Sequence, residues 1–162
     1  MIERDDPSTI PAGSAGGAAL VTTRLNPRLI IADDSAEMRW LVRSTLEQQF
    51  PDVVEAEDGR QLLSLLLRTV FAARAENFVL IVDVKMPVYS GLEVLAAWHS
   101  ADYRIPVVVI TSFPDEAVCR EVDRLGAALL SKPFSRATLR RVVTDAAQRA
   151  RQHPQSTGPG LA

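Results

Sequence analysis

Between residues 28 and 151, short runs of consecutive apolar residues alternate with longer stretches in which apolar positions recur every three to four residues. The short runs are Leu29 to Ala32, Val53 to Ala56, Phe78 to Val82, Pro106 to Ile110 and Ala127 to Leu130, and they predict five strands. The longer stretches predict five helices. The first covers Ser35 to Phe50, with Met38, Leu41, Val42, Leu46 and Phe50 near its inward stripe. The second runs from an N-cap at Asp58 to roughly Ala75, and the third covers Gly91 to Trp98. A fourth covers Pro114 to Leu125, with proline in the first turn and Gly126 as its stop, and a last one is capped by Ser135 and reaches about Arg151. Strands that are apolar at consecutive positions are buried on both faces, as in a parallel sheet covered by helices. The pattern therefore predicts a doubly wound α/β domain with a five-stranded parallel sheet and helices on both faces.

Outside that domain the periodicity stops. Residues 1–27 carry Pro7, Pro11, Gly13, Gly16, Gly17 and Pro27 without a sustained period and read as a tail lacking order, and residues 152–162 read as a second flexible tail. The domain assignment is thus 28–151. A net charge of −2 leaves no basic footprint, so nucleic acid is not an expected partner. The most apolar stretch, Leu62 to Ala73, is interrupted by Ser64 and Arg68 and is too short for a span, so no membrane partner is expected either. One cysteine, Cys119, and an acidic opening without a signal-peptide pattern point to the cytoplasm. Only a short Pro/Gly tail follows Arg151, so no output module is expected.

In open parallel sheets, ligands bind beyond the carboxyl ends of the strands. The polar residues at those ends are Asp33 and Asp34 after the first strand, Asp83 after the third, Thr111 after the fourth, and Ser131 and Lys132 after the fifth. Three converging carboxylates repel one another unless a cation intervenes, and oxygen-only ligands select a hard cation such as Mg²⁺. A hydroxyl and an ammonium beside them suit the equatorial oxygens of a phosphoryl group, and aspartate is a known phosphoryl acceptor. Together these residues predict metal-assisted formation of an aspartyl phosphate.

The segments Ile30-Ile31-Ala32-Asp33-Asp34, Val54-Glu55-Ala56-Glu57-Asp58-Gly59, Asp83 to Glu93, Val109-Ile110-Thr111-Ser112 and Ser131-Lys132-Pro133-Phe134, in that order and each at its strand end, resemble the receiver domain family of two-component response regulators. The resemblance covers about Arg28 to Arg151. It implies a flavodoxin-like sheet of order 2-1-3-4-5, with Asp83 as phosphoacceptor and Mg²⁺ held by Asp33, Asp34, Asp83 and the backbone carbonyl of Lys85. It further implies that Thr111 and Lys132 contact the phosphoryl group and that a cis peptide precedes Pro133. The implied partners are a sensor histidine kinase or histidine phosphotransfer protein as donor, and a downstream protein that reads the face of the fourth helix, fifth strand and fifth helix.

Blander readings stand beside these. An Asp pair after a strand is often only a turn and an N-cap, Thr111 a β-former, and Lys132 a solvated side chain. Cys119, His99 and His153 read as packing or surface residues, and Arg136, Arg140, Arg141, Arg149 and Arg151 as a solvated face. The leucines at 62, 63, 65, 66 and 67 read mainly as core. A metal-dependent phosphatase and a scaffold with a vestigial site are the competing functions. The first is disfavoured because Asp33 and Asp34 are adjacent rather than two apart.

Three positions depart from the family pattern. Leu129 stands where an aromatic usually changes rotamer, so signal transmission through the loop after Thr111 is expected instead. Lys85 and Phe113 stand beside the attack path, where smaller or acidic residues are common, and they predict a long-lived aspartyl phosphate.

Overall fold

The computed structural model describes residues 27–71, 78–101, 103 and 105–152. Five strands, β1 Arg28–Ala32, β2 Val53–Ala56, β3 Phe78–Asp83, β4 Val107–Thr111 and β5 Ala128–Ser131, form one parallel sheet in the order β2-β1-β3-β4-β5. Five helices connect or follow them: α1 Ala36–Leu46, α2 Gly59–Phe71, α3 Gly91–Ser100, α4 Glu116–Arg124 and α5 Arg136–Gln152. The expected α/β class and strand order are both present.

The strands' apolar runs are divided between two cores by their period of two. Ile30, Leu80, Val82 and Val109 pack on one side with Leu62 and Leu66 of α2, Val94 and Trp98 of α3 and Val122 of α4. Leu29, Ile31, Val79, Ile81, Val108 and Ile110 pack on the other with Val42 and Leu46 of α1 and Leu139 and Val143 of α5. Each fully buried aliphatic side chain contributes about 1.5–3 kcal/mol. The double-sided burial therefore specifies strand register strongly, because a slip by one residue would exchange the two cores. Of the α2 leucines, Leu62 and Leu66 are buried and Leu67 is exposed, so that cluster is mainly core.

Helix ends differ from expectation in α1, α3 and α4, with α3 running to Ser100 rather than Trp98. α1 stops at Leu46, not Phe50. The amides of Gln49 and Phe50 both turn back to the Leu46 carbonyl, and Pro51 disfavours helical geometry at Phe50. Phe50 is nevertheless buried, which is why it fits the helical stripe in sequence. α4 starts at Glu116 rather than Pro114, because the Asp115 side chain accepts the Val118 N–H at 2.8 Å and takes the N-cap role. Gly126 follows α4 with φ +65°, a conformation that favours glycine.

The Arg face of α5 is not simply solvated. Arg136 donates to the Ser44 hydroxyl at 3.2 Å and lies over the Trp40 ring, and Arg140 donates to the Thr45 carbonyl at 3.3 Å. Both bind α5 to α1, since long cationic side chains reach across a helix pair where their stems can pack. Of the two tail assignments, residues 1–26 and 153–162, His153 included, lie outside the described residues, as do the stretch toward Ala75 and the Arg151 side chain, whereas Pro27 is buried and Gln152 ends α5. Among the described residues no helix is long and apolar enough to cross a membrane.

Candidate functional site

Four of the five strands deliver a polar side chain to one rim of the sheet. β1 continues its pairing one residue past its end, with the Asp33 N–H bonded to the Ala56 carbonyl at 3.1 Å. The chain then turns into α1 through Ser35, whose hydroxyl accepts the Met38 N–H. Asp33 takes part in that turn, its Oδ1 accepting the Ser35 N–H at 2.8 Å. Asp34 is exposed. Asp83 ends β3, and its Oδ2 accepts the Lys85 N–H at 2.8 Å. Thr111 ends β4, and its hydroxyl oxygen accepts the Phe113 N–H at 3.1 Å. Lys132 follows β5, its N–H bonded to the Thr111 carbonyl at 2.8 Å, and the peptide between Lys132 and Pro133 is cis.

The convergence centres on Lys132. Its Nζ donates to Oδ2 of Asp33 at 2.9 Å and to Oδ1 of Asp83 at 2.8 Å. Asp33 is 2% exposed, Asp83 6% and Thr111 2%, so the two carboxylates stand out of water where an unpaired charge is expensive. The reading of Lys132 as a solvated side chain is therefore wrong. Burial pushes the Asp83 carboxyl above the usual carboxylate range, and the neighbouring Asp33 charge adds to this, while Lys132 and the Lys85 N–H pull the other way without prevailing. Burial opposes the charge on Lys132 as well. There the hydrogen bonds and charges of Asp83 and Asp33 win, and the ammonium is held above its ordinary range.

The donors at this rim are all oxygens: the carboxylates of Asp33, Asp34 and Asp83 and the nearby main chain. Among the described residues no three acidic, histidine or cysteine side chains gather into a group that could hold a metal ion. Mg²⁺ does not require three, since it keeps waters and takes only one or two carboxylates. Each carboxylate oxygen of Asp33 and Asp83 also retains acceptor capacity beyond the single hydrogen bond it makes. The residues fit a hydrated hard cation.

Two side chains flank the rim. The Lys85 Nζ lies 4.1 Å from the centre of the Phe113 ring, joining the loop after β3 to the loop after β4. Phe113 is otherwise exposed. Leu129 is half-buried and packs against the core on the α2–α4 side.

Sequence reading overlooked one cluster. Arg39 and Arg43 of α1 both bind Glu55 of β2, and Arg39 also donates to the Asp33 carbonyl. The available signal was Glu55 itself, a charge set in an apolar strand run and so in need of a partner.

Residues 29–144 match the response regulator receiver domain family. The chain belongs to that family. It is 33% identical over 113 residues to the chemotaxis protein CheY1 of Helicobacter pylori, a match covering 67% of this chain and 86% of that protein. It is 30% identical over 120 residues to the peroxide stress-activated histidine kinase mak3 of Schizosaccharomyces pombe, where the match covers 69% of this chain but only 5% of the kinase. The receiver domain of AraT, a response regulator from Geobacillus stearothermophilus, superposes with a TM-score of 0.67 at 30% identity, covering 81% of this chain and 100% of that one. This is a receiver domain of two-component signalling.

Proposed function

We propose that this receiver is a phosphorylation-controlled switch that accepts a phosphoryl group on Asp83 from a phosphohistidine donor. The donor is a sensor histidine kinase or a histidine phosphotransfer protein, and the modification changes a surface read by another protein. The observation that carries this reading is the buried Asp83 carboxylate, bridged to Asp33 by the Lys132 ammonium at the carboxyl rim of the sheet.

In the transfer, one Asp83 carboxylate oxygen forms a bond to phosphorus while the phosphorus–nitrogen bond to the donor imidazole breaks. The imidazole keeps the electron pair and takes up a proton, and Asp83 becomes an acyl phosphate. Lys132, the Thr111 hydroxyl and the Lys85 N–H are the donors suited to the equatorial oxygens, whose charge must be met in a site poor in water. Asp33, Asp34, Asp83 and the Lys85 carbonyl would hold Mg²⁺, which when bound offsets the negative charge of carboxylates and phosphoryl group together. The modification replaces the single carboxylate charge by about two on the phosphoryl group, a net gain of about one negative charge beside those groups, enough to bias a two-state loop or helix.

Incubation with Mg²⁺ and a small phosphodonor should add the mass of one phosphoryl group to the wild type and none to Asp83→Asn. No gain in the wild type, or an equal gain in the variant, overturns the reading. Sustained turnover of phosphate esters would assign the site to a phosphatase instead.

A further inference from the structure

Arg39 lies in the first half of α1, four residues after the cap Ser35, and its side chain is only 14% exposed. Its guanidinium spans three groups. Nη1 donates to the main-chain carbonyl of Asp33 at 2.8 Å, Nε donates to Oε2 of Glu55 at 3.0 Å, and Nη2 lies 3.9 Å from Oε2 of Glu57. The second oxygen of Glu55 accepts from Nε of Arg43 at 2.7 Å. Glu55 is thus gripped by two arginines one helical turn apart, and it stands on β2 opposite Ile31 of β1. This cluster is anchored to the sheet rather than floating on the surface.

The carbonyl that Arg39 holds belongs to the peptide joining Asp33 to Asp34. The other polar groups of Asp33 are occupied too: its N–H by Ala56, Oδ1 by Ser35 and Oδ2 by Lys132. Because a peptide unit is planar, fixing the direction of its carbonyl also fixes where the next Cα leaves. Asp34 is exposed, so packing does not hold it in place. We infer that Arg39 is a positioning residue for Asp34: braced by Glu55, it orients the Asp33–Asp34 peptide so that the Asp34 carboxylate is presented to a divalent cation. This rests on the proposed Mg²⁺ site. A lysine would keep the charge but lose the rigid fork that reaches the Asp33 carbonyl and Glu55 together.

Electrostatics and orientation predict opposite signs. Arg39, Arg43, Glu55 and Glu57 carry two positive and two negative charges. Removing Arg39 leaves the neighbourhood more negative, and charge alone would then tighten cation binding. Loss of orientation weakens it.

The deciding experiment titrates Mg²⁺ into the full chain by calorimetry for wild type, Arg39→Met and Arg39→Lys, with cooperative melting as the check on folding. Both variants should bind Mg²⁺ about 10-fold more weakly, the lower end of the effect of groups that orient metal ligands. Wild-type affinity in Arg39→Lys, or equal or tighter binding in a cooperatively melting Arg39→Met, overturns the inference. Should Arg39→Met fail to melt cooperatively, Arg39→Lys decides alone, since it retains the charge balance. A wild type that binds no Mg²⁺ overturns the cation site itself, and is distinguished from failure of the inference by needing no variant.

Discussion

Asp83 is a carboxylate in an unfavourable place, and its neighbours make that place usable. Because burial raises its folded pKa above 3.8, the folded state binds the proton more tightly than the unfolded chain does. Stability contributed by the neutral form is therefore present at low pH, falls as pH rises from about 3.8 through the raised folded pKa, and is constant beyond it. Asp83→Asn mimics the neutral form. In metal-free buffer at pH 7 it is expected to melt above wild type, and the advantage should vanish below about pH 3.8; scanning calorimetry across that range checks both. The flanking pair supports a second prediction. The Lys85 ammonium sits on the Phe113 ring, and beside the proposed acceptor Asp83 this pair would obstruct an approaching water. A Lys85→Asn, Phe113→Glu double variant should lose its phosphoryl group several-fold faster than wild type, on the order of one decade for a change of about 1.4 kcal/mol in barrier. Mass spectrometry against time after removal of the phosphodonor is the measurement, and an unchanged rate would sink the idea.

At the level of elements, the loop from β3 to α3 is where the backbone is most constrained. Gly91 opens α3 directly against the end of β3, and a Cβ there would lie 2.1 Å from the Asp83 carbonyl oxygen. Gly91→Ala must therefore push the Asp83 backbone aside. It should destabilise by about 1–3 kcal/mol in denaturant unfolding, as overpacking does, and also slow phosphorylation of Asp83. Val88 in the same loop has φ +72°, an uncomfortable conformation for a β-branched residue. Neighbouring backbone bonds, from the Gly59 and Tyr89 amides to the Pro87 carbonyl, hold the loop in spite of it. Helix limits show how far sequence signals reach. Asp58 does cap α2, its Oδ1 accepting the Gln61 N–H, because a side chain and an amide three residues apart need no tertiary help. Pro114 looks equally suited to open α4, but Asp115 supplies a side-chain acceptor for the free Val118 amide of the first turn.

For the whole molecule, the question is how modification at one rim reaches another surface. The Thr111 hydroxyl accepts the Phe113 N–H, so a Thr111 that turns toward a phosphoryl group must release the start of the loop leading to α4. Leu129 has no polar tip to follow it and packs half-buried against the core. Hydrogen exchange of the beryllofluoride-treated protein should therefore change at residues 112–116 and in α4; identical protection in both states would count against this route. The sequence alone determined the class of fold, the strand order by resemblance, and which polar residues stand at the strand ends. Consecutive apolar runs, periodic helices and polar strand ends are local signals, each readable within a few residues. Tertiary structure alone decided that Lys132 bridges two buried carboxylates 99 and 49 residues away, that Lys85 rests on Phe113, and that Arg39, braced by Glu55, grips the Asp33 carbonyl. Those contacts join residues from different strands and loops, and nothing in the chain's local pattern states which side chains the folded sheet will bring within a hydrogen bond of one another.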